Sequence, residues 1–307
     1  MSGPLSDTKN ASARGCLRVL GSIRLDEVLV LQGTPMMGAL LASSQLAGGL
    51  LSTQWWQLAA LLVAGNLCLM AHVFVVNDWA EIKTDIQDPT RSARTFASKG
   101  VTRTAVGWLA LATLFTSLLL LGMLNRESLM FGMLIVATSA LYSLAPFHMK
   151  ARPIGGTALH VIGGALHFLL GYAAIAPATL DAWAISVFFG LVFAAGHLNH
   201  EIRGLQGDRL NHIRTNAVVF GQRPCFVAAF ILFSMAYALL LLLALQERVP
   251  RGLLVTALLY PVHGLFTWKA LRNNLNAQSL LRLQTWYRLL YALVGVLIAW
   301  AVIWHQG

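Results

Sequence analysis

Charge is what this sequence has least of. Only 11% of its 307 residues are Asp, Glu, Lys or Arg, less than half of the roughly 25% found in soluble domains. A water-soluble fold of this length could not cover its surface with so few. Cysteine is scarce too. Cys16, Cys68 and Cys225 have no metal-ligand spacing and form no even set, which argues against a disulfide scaffold. The N-terminus does not read as a cleaved signal. Residues 1–24 hold Lys9, Arg14, Arg18 and Arg24 and no apolar core, so they read as a cytoplasmic lead-in, partly disordered. No short-period repeat and no separate soluble domain follow. Residues 25–307 read as one transmembrane domain.

What is present is apolar length. Hydrophobic residues make up 57% of the chain. They fall in long uncharged runs, at 108–123, 182–198, 226–245, 253–267 and 289–304. A bilayer core about 30 Å thick takes about 20 such residues as a helix. With Pro146, Pro153, Pro177 and Pro250 as punctuation, the pattern predicts an all-α membrane protein of nine transmembrane helices. They fall at about 26–49, 56–77, 103–123, 128–145, 157–176, 182–200, 224–245, 252–268 and 285–304. Lysine and arginine orient them. With the N-terminus inside, 19 of the 22 basic residues fall in inside segments, and only Arg126, Arg248 and Arg251 fall outside. That asymmetry predicts an N-in, C-out arrangement. The formal charge of +10 is then explained by topology, with a second use in binding anionic substrates. It gives no support to a nucleic-acid partner.

The acids are few and unevenly placed. Half of the twelve lie in two windows, Asp78–Asp88 and Glu201–Asp208, each at the cytoplasmic end of a span. Carboxylates at a membrane boundary are costly unless paired, hydrated or metal-bound. At about 100° per residue, Asn77, Glu81 and Asp85 share one helical stripe, with Asp78 beside it and Lys83 on the opposite side. Such a stripe of oxygen donors, with no cation of its own, suits Mg²⁺, which reaches substrate phosphates through one or two carboxylates. The plain alternative is a solvated helix end. In the second window Glu201 and Asp208 are two turns apart and share a face. Asn211, His212 and Thr215 continue along it if the helix passes Gly204 and Gly207. Arg91, Arg94, Lys150 and Arg214 stand near enough in sequence to grip phosphate oxygens, although the positive-inside bias also accounts for each. His72, His160, His167 and His263 fall within spans and read as hydrogen-bonded packing. His160 and His167 share a face that could meet an acceptor.

These residues carry a resemblance. The chain resembles, from its first span to its last, the UbiA superfamily of intramembrane prenyltransferases. Members have nine transmembrane helices and two Asp-rich motifs, at the cytoplasmic ends of helices two and six. The first motif, Asn-Asp-x-x-Asp-x-x-x-Asp, stands here as Asn77-Asp78-x-x-Glu81-x-x-x-Asp85. The downstream Arg-Pro-x-x-x-Gly keeps Arg94 and ends at Gly100, with the proline lost and one residue added. A Tyr and a Lys eight apart around a proline appear as Tyr142, Pro146 and Lys150. The second motif departs more. Gly204 stands where its first Asp belongs, and only Asp208 remains. Glu201 falls where an upstream Asp is common, His212 replaces Gly, and Thr215 is in place.

The resemblance implies helices around a central apolar cavity, with two Mg²⁺ ions clamping a prenyl diphosphate between the acidic windows. The implied metal ligands are Asn77, Asp78, Glu81, Asp85, Glu201 and Asp208. Arg91, Arg94, Lys150 and Arg214 are the implied diphosphate contacts, and Tyr142 and Lys150 the implied catalytic pair. The implied reaction moves an isoprenoid group through an allylic carbocation to a lipophilic acceptor, aromatic acceptors included. It takes place in an integral multi-pass protein among membrane lipid, with its active-site loops on the cytoplasmic side. With Gly204 in the second motif, that metal site is either absent or rebuilt on Glu201. Three alternatives remain. One is a terpene cyclase of the same superfamily, acting without an acceptor. Another is a polyprenyl-phosphate phosphoribosyltransferase, whose spacing resembles Asp88-Pro89-Thr90-Arg91-x-x-Arg94. The third is a transporter, which would more often place its site at the membrane midplane.

Overall fold

The computed structural model describes residues 18–88 and 91–306. Most of the expected lead-in, residues 1–17, lies outside the described residues, as do Pro89 and Thr90. Within them the chain forms eleven α-helices and no strand. These are α1 (Leu25–Val30), α2 (Gly33–Ala42), α3 (Thr53–Asp85), α4 (Arg103–Leu124), α5 (Arg126–Ser143) and α6 (Gly155–Ile175). They continue as α7 (Leu180–Leu210), α8 (Asn216–Phe220), α9 (Gln222–Leu245), α10 (Leu259–Arg272) and α11 (Ala277–Gln306). Six of them, α3, α4, α6, α7, α9 and α11, are long and apolar enough to cross a membrane.

The helices begin where short polar side chains can take up their first free N–H groups. Ser52, Thr102, Asn125 and Thr179 accept from Trp55 N, Ala105 N, Ser128 N and Ala182 N at 2.8–3.2 Å. Three helices overshoot the bilayer. At 1.5 Å per residue, α3 is about 50 Å long, α7 about 46 Å and α11 about 45 Å, against a hydrocarbon core of about 30 Å. The excess of α3 and of α7 carries the two acidic windows.

Three expected spans fall outside these six. The first is broken into α1 and α2 at Leu31–Gln32, and two 3₁₀ turns, Ser43–Gln45 and Gly49–Leu51, follow α2. Pro35 sits in the first turn of α2, where a missing N–H costs nothing. The eighth opens as a 3₁₀ helix, Arg251–Leu258, and becomes α-helical only at Leu259. Pro261 cannot donate to Ala257, so the α ladder cannot run unbroken through this point. The fourth, α5, is a continuous helix of 18 residues whose first turn includes Arg126 and Glu127.

Small residues let the helices close on one another, as they do in lipid. A Cβ on Gly171 of α6 would fall 1.8 Å from Pro35 O, and one on Gly38 of α2 would fall 2.3 Å from Phe168 O. Buried polar links cross the same region. His167 Nε2 meets Asn66 Oδ1 at 2.8 Å, and Asn66 donates to Gln32 Oε1 at 2.9 Å. His72 Nδ1 meets Ala110 O at 2.8 Å. The outside of the bundle is apolar. Trp108, Phe115, Leu119 and Met123 line one face of α4 and are 64–68% exposed. Water would not tolerate so continuous an apolar face. Lipid covers it, and the protein is an integral membrane protein.

Candidate active site

The two acidic windows meet at one end of the bundle. The opposite end carries Glu127, the Asp181–Arg248 pair and the Glu247–Arg251 pair. Glu81, Asp85, Asp88, Glu201 and Asp208 are only 4–8% exposed. That level decides against an ordinary solvated helix end, because a buried carboxylate needs partners.

The first window lies on α3, which stays helical to Asp85, so Asn77, Glu81 and Asp85 do share a stripe. Asn77 Nδ2 donates to Glu81 Oε1 at 2.9 Å and to Ser143 Oγ on α5 at 3.2 Å. The stripe differs from expectation in one respect: cations reach it from outside the window. Lys150 donates to Glu81 Oε2. It rides a 3₁₀ turn, Met149–Ala151, that follows His148 in the left-handed region. Arg91 Nη1 stands 3.3 Å from Asp85 Oδ1 and 4.0 Å from Glu81 Oε2, and its Nε stands 3.6 Å from Asp88 Oδ2. Burial works to lower the pKa of this guanidinium, but Asp85 and Glu81 outweigh it and raise the pKa above its ordinary value. Lys83 is exposed on the other side. Asp78 leaves the stripe and forms a two-pronged pair with Arg24, at 3.2 Å through Nε. Sequence reasoning assigned Arg24 only to topology, and nothing in its spacing links it to Asp78.

The loop after α3 is held by packing. Phe96 and Val101 bury against Val75, Ile82 and Val106, and Arg103 stacks over the Trp79 ring at 4.1 Å. Arg94, in the 3₁₀ turn Ser92–Arg94, is exposed and bonds to none of the described acids.

In the second window α7 does pass Gly204 and Gly207 but ends at Leu210. Asn211 and His212 therefore do not extend its face. His212 turns into the left-handed region and is exposed, as is Arg214. Thr215 returns through the loop and donates to Asp208 Oδ2 at 3.2 Å. Glu201 is drawn into a different network. It accepts from Asn216 Nδ2 at 3.1 Å and from Ala217 N at 3.4 Å. His197 Nε2 comes within 3.0 Å of Glu201 Oε1, off the line of a hydrogen bond. Asn216 also accepts from Ile154 N at 2.6 Å and donates to Thr157 Oγ1 at 3.0 Å. It thereby holds Ile154, a β-branched residue at φ 67°, in a conformation that is costly by itself. Asn216 went unnoticed in the sequence. Its one signal was its place directly after Thr215.

Between the windows lies Tyr142, within electrostatic reach of Glu81, Glu201 and Asp208. Its ring meets those of His160 and His197 edge-on at 5.2 and 5.9 Å, and the two imidazoles stack at 3.8 Å. Two open apolar grooves flank the site. One, of about 470 Å³, is lined by Thr157, Leu198, Asn216 and Leu232 among others. The other, of about 520 Å³, is lined by His72, Trp79, Arg103 and Leu144 among others.

As a metal site the two windows are unequal. Asn77, Glu81 and Asp85 form a set of oxygen donors on one face, suited to a hard cation completed by substrate oxygens. The second window offers Asp208 alone at its mouth, since Glu201 is held by Asn216. Among the described residues, no three His, Cys, Asp or Glu side chains converge as a ready-made cage.

Known proteins place this architecture. A UbiA homologue of Archaeoglobus fulgidus, bound to DMAPP and Mg²⁺, matches with a TM-score of 0.73 at 16% identity, over 93% of this chain and 99% of its own. A UbiA homologue of Aeropyrum pernix matches with a TM-score of 0.72 at 18% identity, over 93% and 100%. A digeranylgeranylglyceryl phosphate synthase matches with a TM-score of 0.69 at 15% identity, over 94% and 99%. At such identities these likenesses establish the fold alone. No curated protein sequence matches the chain. The model of the UbiA prenyltransferase family matches residues 35–289, which include both acidic windows and most of the described helices, and the chain belongs to that family.

Proposed function

We propose that this chain is a Mg²⁺-dependent intramembrane prenyltransferase that moves an isoprenoid group from a prenyl diphosphate to a lipophilic acceptor. The observation that carries this reading is the meeting of buried carboxylates from α3 and α7 with Lys150 and Arg91 at one end of an apolar bundle. The family membership and the DMAPP and GPP bound by the A. fulgidus homologue support it.

Asn77, Glu81 and Asp85 would hold Mg²⁺, with Asp208 facing them. Asp78 and Glu201, engaged with Arg24 and Asn216, would shape the two windows from behind. The ion, when bound, supplies Lewis-acid neutralisation of diphosphate charge. Lys150 and Arg91 donate to the diphosphate oxygens as the allylic C–O bond breaks and its electron pair leaves with the diphosphate. Arg94 and Arg214, exposed at the mouth, draw the anion in. The π face of Tyr142 steadies the allylic cation, and the surrounding apolar walls exclude water. The acceptor's electron pair then closes the new bond, and the acceptor releases a proton.

The architecture we assign is one domain, residues 25–307, with nine spans around a central apolar cavity, the N-terminus and the acidic windows on the cytoplasmic side, and the C-terminus outside. The three spans beyond the six long helices are α1–α2, α5, and the 3₁₀ segment with α10. The deciding assay is product analysis by mass spectrometry. Purified protein in detergent is given a prenyl diphosphate and Mg²⁺, with and without lipid-soluble aromatic acceptors. Acceptor-dependent diphosphate release supports the transferase. A cyclic hydrocarbon or alcohol formed without acceptor would assign a terpene cyclase instead.

A further inference from the structure

The gap in the second acidic window is filled from the other side. A Cβ on Gly204 would lie 3.4 Å from an Nη of Arg91 and 3.7 Å from Asp208 Oδ2. The guanidinium and the Asp208 carboxylate therefore flank one point, the place where the missing carboxylate of the motif would begin. Arg91 reaches that point from the loop after α3 while it faces Glu81, Asp85 and Asp88. Gly207, one turn further on, makes the approach close. A Cβ there would stand 2.2 Å from Asp88 Oδ2, so the bare backbone leaves room for the Asp88 carboxylate against α7.

We propose that the Arg91 guanidinium stands in for the second metal ion, so that this protein holds its diphosphate with one divalent cation and one arginine. The inference rests on the diphosphate reading above and adds to it the number of ions. Donor chemistry supports it. The oxygen nearest the gap, Asp208 Oδ2, already accepts from Thr215, and the Asp88 carboxylate one turn away faces Arg91. A second Mg²⁺ would find too few ligands there. A guanidinium needs none, because its planar fork binds phosphate oxygens directly and keeps its charge at any working pH. Gly204 is then the residue that sets the metal count, by leaving room for the arginine.

The test counts metal without relying on turnover. Full-length protein in detergent is titrated with Mn²⁺ in the presence of inorganic pyrophosphate, and free Mn²⁺ is read by electron paramagnetic resonance. The wild type is expected to bind one Mn²⁺ per chain. The double variant Arg91→Gln/Gly204→Asp, which removes the guanidinium and restores a carboxylate, is expected to bind two. Arg91→Gln alone should keep one ion and lose pyrophosphate affinity by roughly tenfold or more. Two ions on the wild type, or unchanged pyrophosphate affinity in Arg91→Gln, overturns the inference and leaves the proposed function standing. A double variant that melts cooperatively and still binds one ion overturns it as well. If the wild type binds no Mn²⁺, the metal-diphosphate reading itself fails, and the inference with it.

Discussion

Glu81→Gln isolates the centre of the site. In the folded protein one Glu81 oxygen accepts from Asn77 and the other from Lys150. Glutamine keeps one acceptor and turns an NH₂ group toward the other donor, so a donor faces a donor wherever the amide is placed. Glu81 is 6% exposed and Lys150 9%. Removing one partner of a buried ion pair costs about 3–5 kcal/mol. The site must admit a diphosphate from water, which places the expected loss near the lower figure. If ~3 kcal/mol is felt in the transition state, kcat/KM falls roughly 150-fold. The assay is diphosphate release against prenyl diphosphate over a Mg²⁺ series, with the melting transition in detergent followed in parallel. We expect both the fall in kcat/KM and a higher Mg²⁺ half-saturation. Lys150→Met completes a double-mutant cycle. The double variant removes both partners of the pair, so its loss of stability should fall short of the sum of the single losses by about 1–3 kcal/mol, while its activity should not recover. A Glu81→Gln protein that keeps kcat/KM within threefold of wild type would refute the assignment of this carboxylate to the site.

Other substitutions test other parts of the molecule. Gly207→Ala drives a methyl group to 2.2 Å from Asp88 Oδ2. It should cost about 1–3 kcal/mol and raise KM for the diphosphate, whereas Gly204→Ala meets its nearest neighbour at 3.4 Å and should melt within about 1 kcal/mol of wild type. Equal melting shifts for the two would contradict the close loop–helix contact. Phe115→Lys places a charge near the middle of the outward face of α4, and should penalise insertion by about 2.5–3.5 kcal/mol. Membrane-fraction yield reads this directly, and an unchanged yield would mean that the face does not meet lipid.

The first window was legible because a helix converts spacing into direction. Asn77, Glu81 and Asp85 needed only the continuation of α3 past the bilayer to form their stripe. The cations of the stripe were not legible in the same way. Lys150 lies 69 residues from Glu81 in sequence and arrives through a left-handed turn that no periodicity announces. Arg91 was a candidate by proximity, but its role as a bridge to α7 depends on what is missing at Gly204 and Gly207. Glu201 illustrates the reverse problem. Its motif position pointed to metal binding, and the Asn216 side chain that engages it comes from a different helix. The breaks in the first and eighth expected spans were hidden because hydropathy does not register helix type. Pro35 and Pro261 were visible, but an apolar run reads alike in an α-helix and a 3₁₀ turn.

Helix length gives the last prediction its basis. If about 30 Å of α3 and of α7 is within hydrocarbon, some 16–20 Å of each projects beyond it, and both projections are at the end of the bundle where the acids lie. A carboxylate site can exist there without the cost of placing charge at the bilayer centre. The polar residues at the start of α7, with Asp181 bonded to Arg248 at 2.8 Å, then belong to the other surface. Lys83, Arg209 and Arg248 are all exposed, so each can be replaced by cysteine in a chain whose own three cysteines have been changed to serine or alanine. An impermeant maleimide should label Lys83→Cys and Arg209→Cys from the cytoplasmic face of oriented vesicles, and Arg248→Cys only from the opposite face. Labelling of Arg209→Cys and Arg248→Cys from one face would place both ends of α7 on the same side. A helix of 31 residues with so few charges cannot do that while crossing the membrane, so the nine-span arrangement and the cytoplasmic position of the site would fall together.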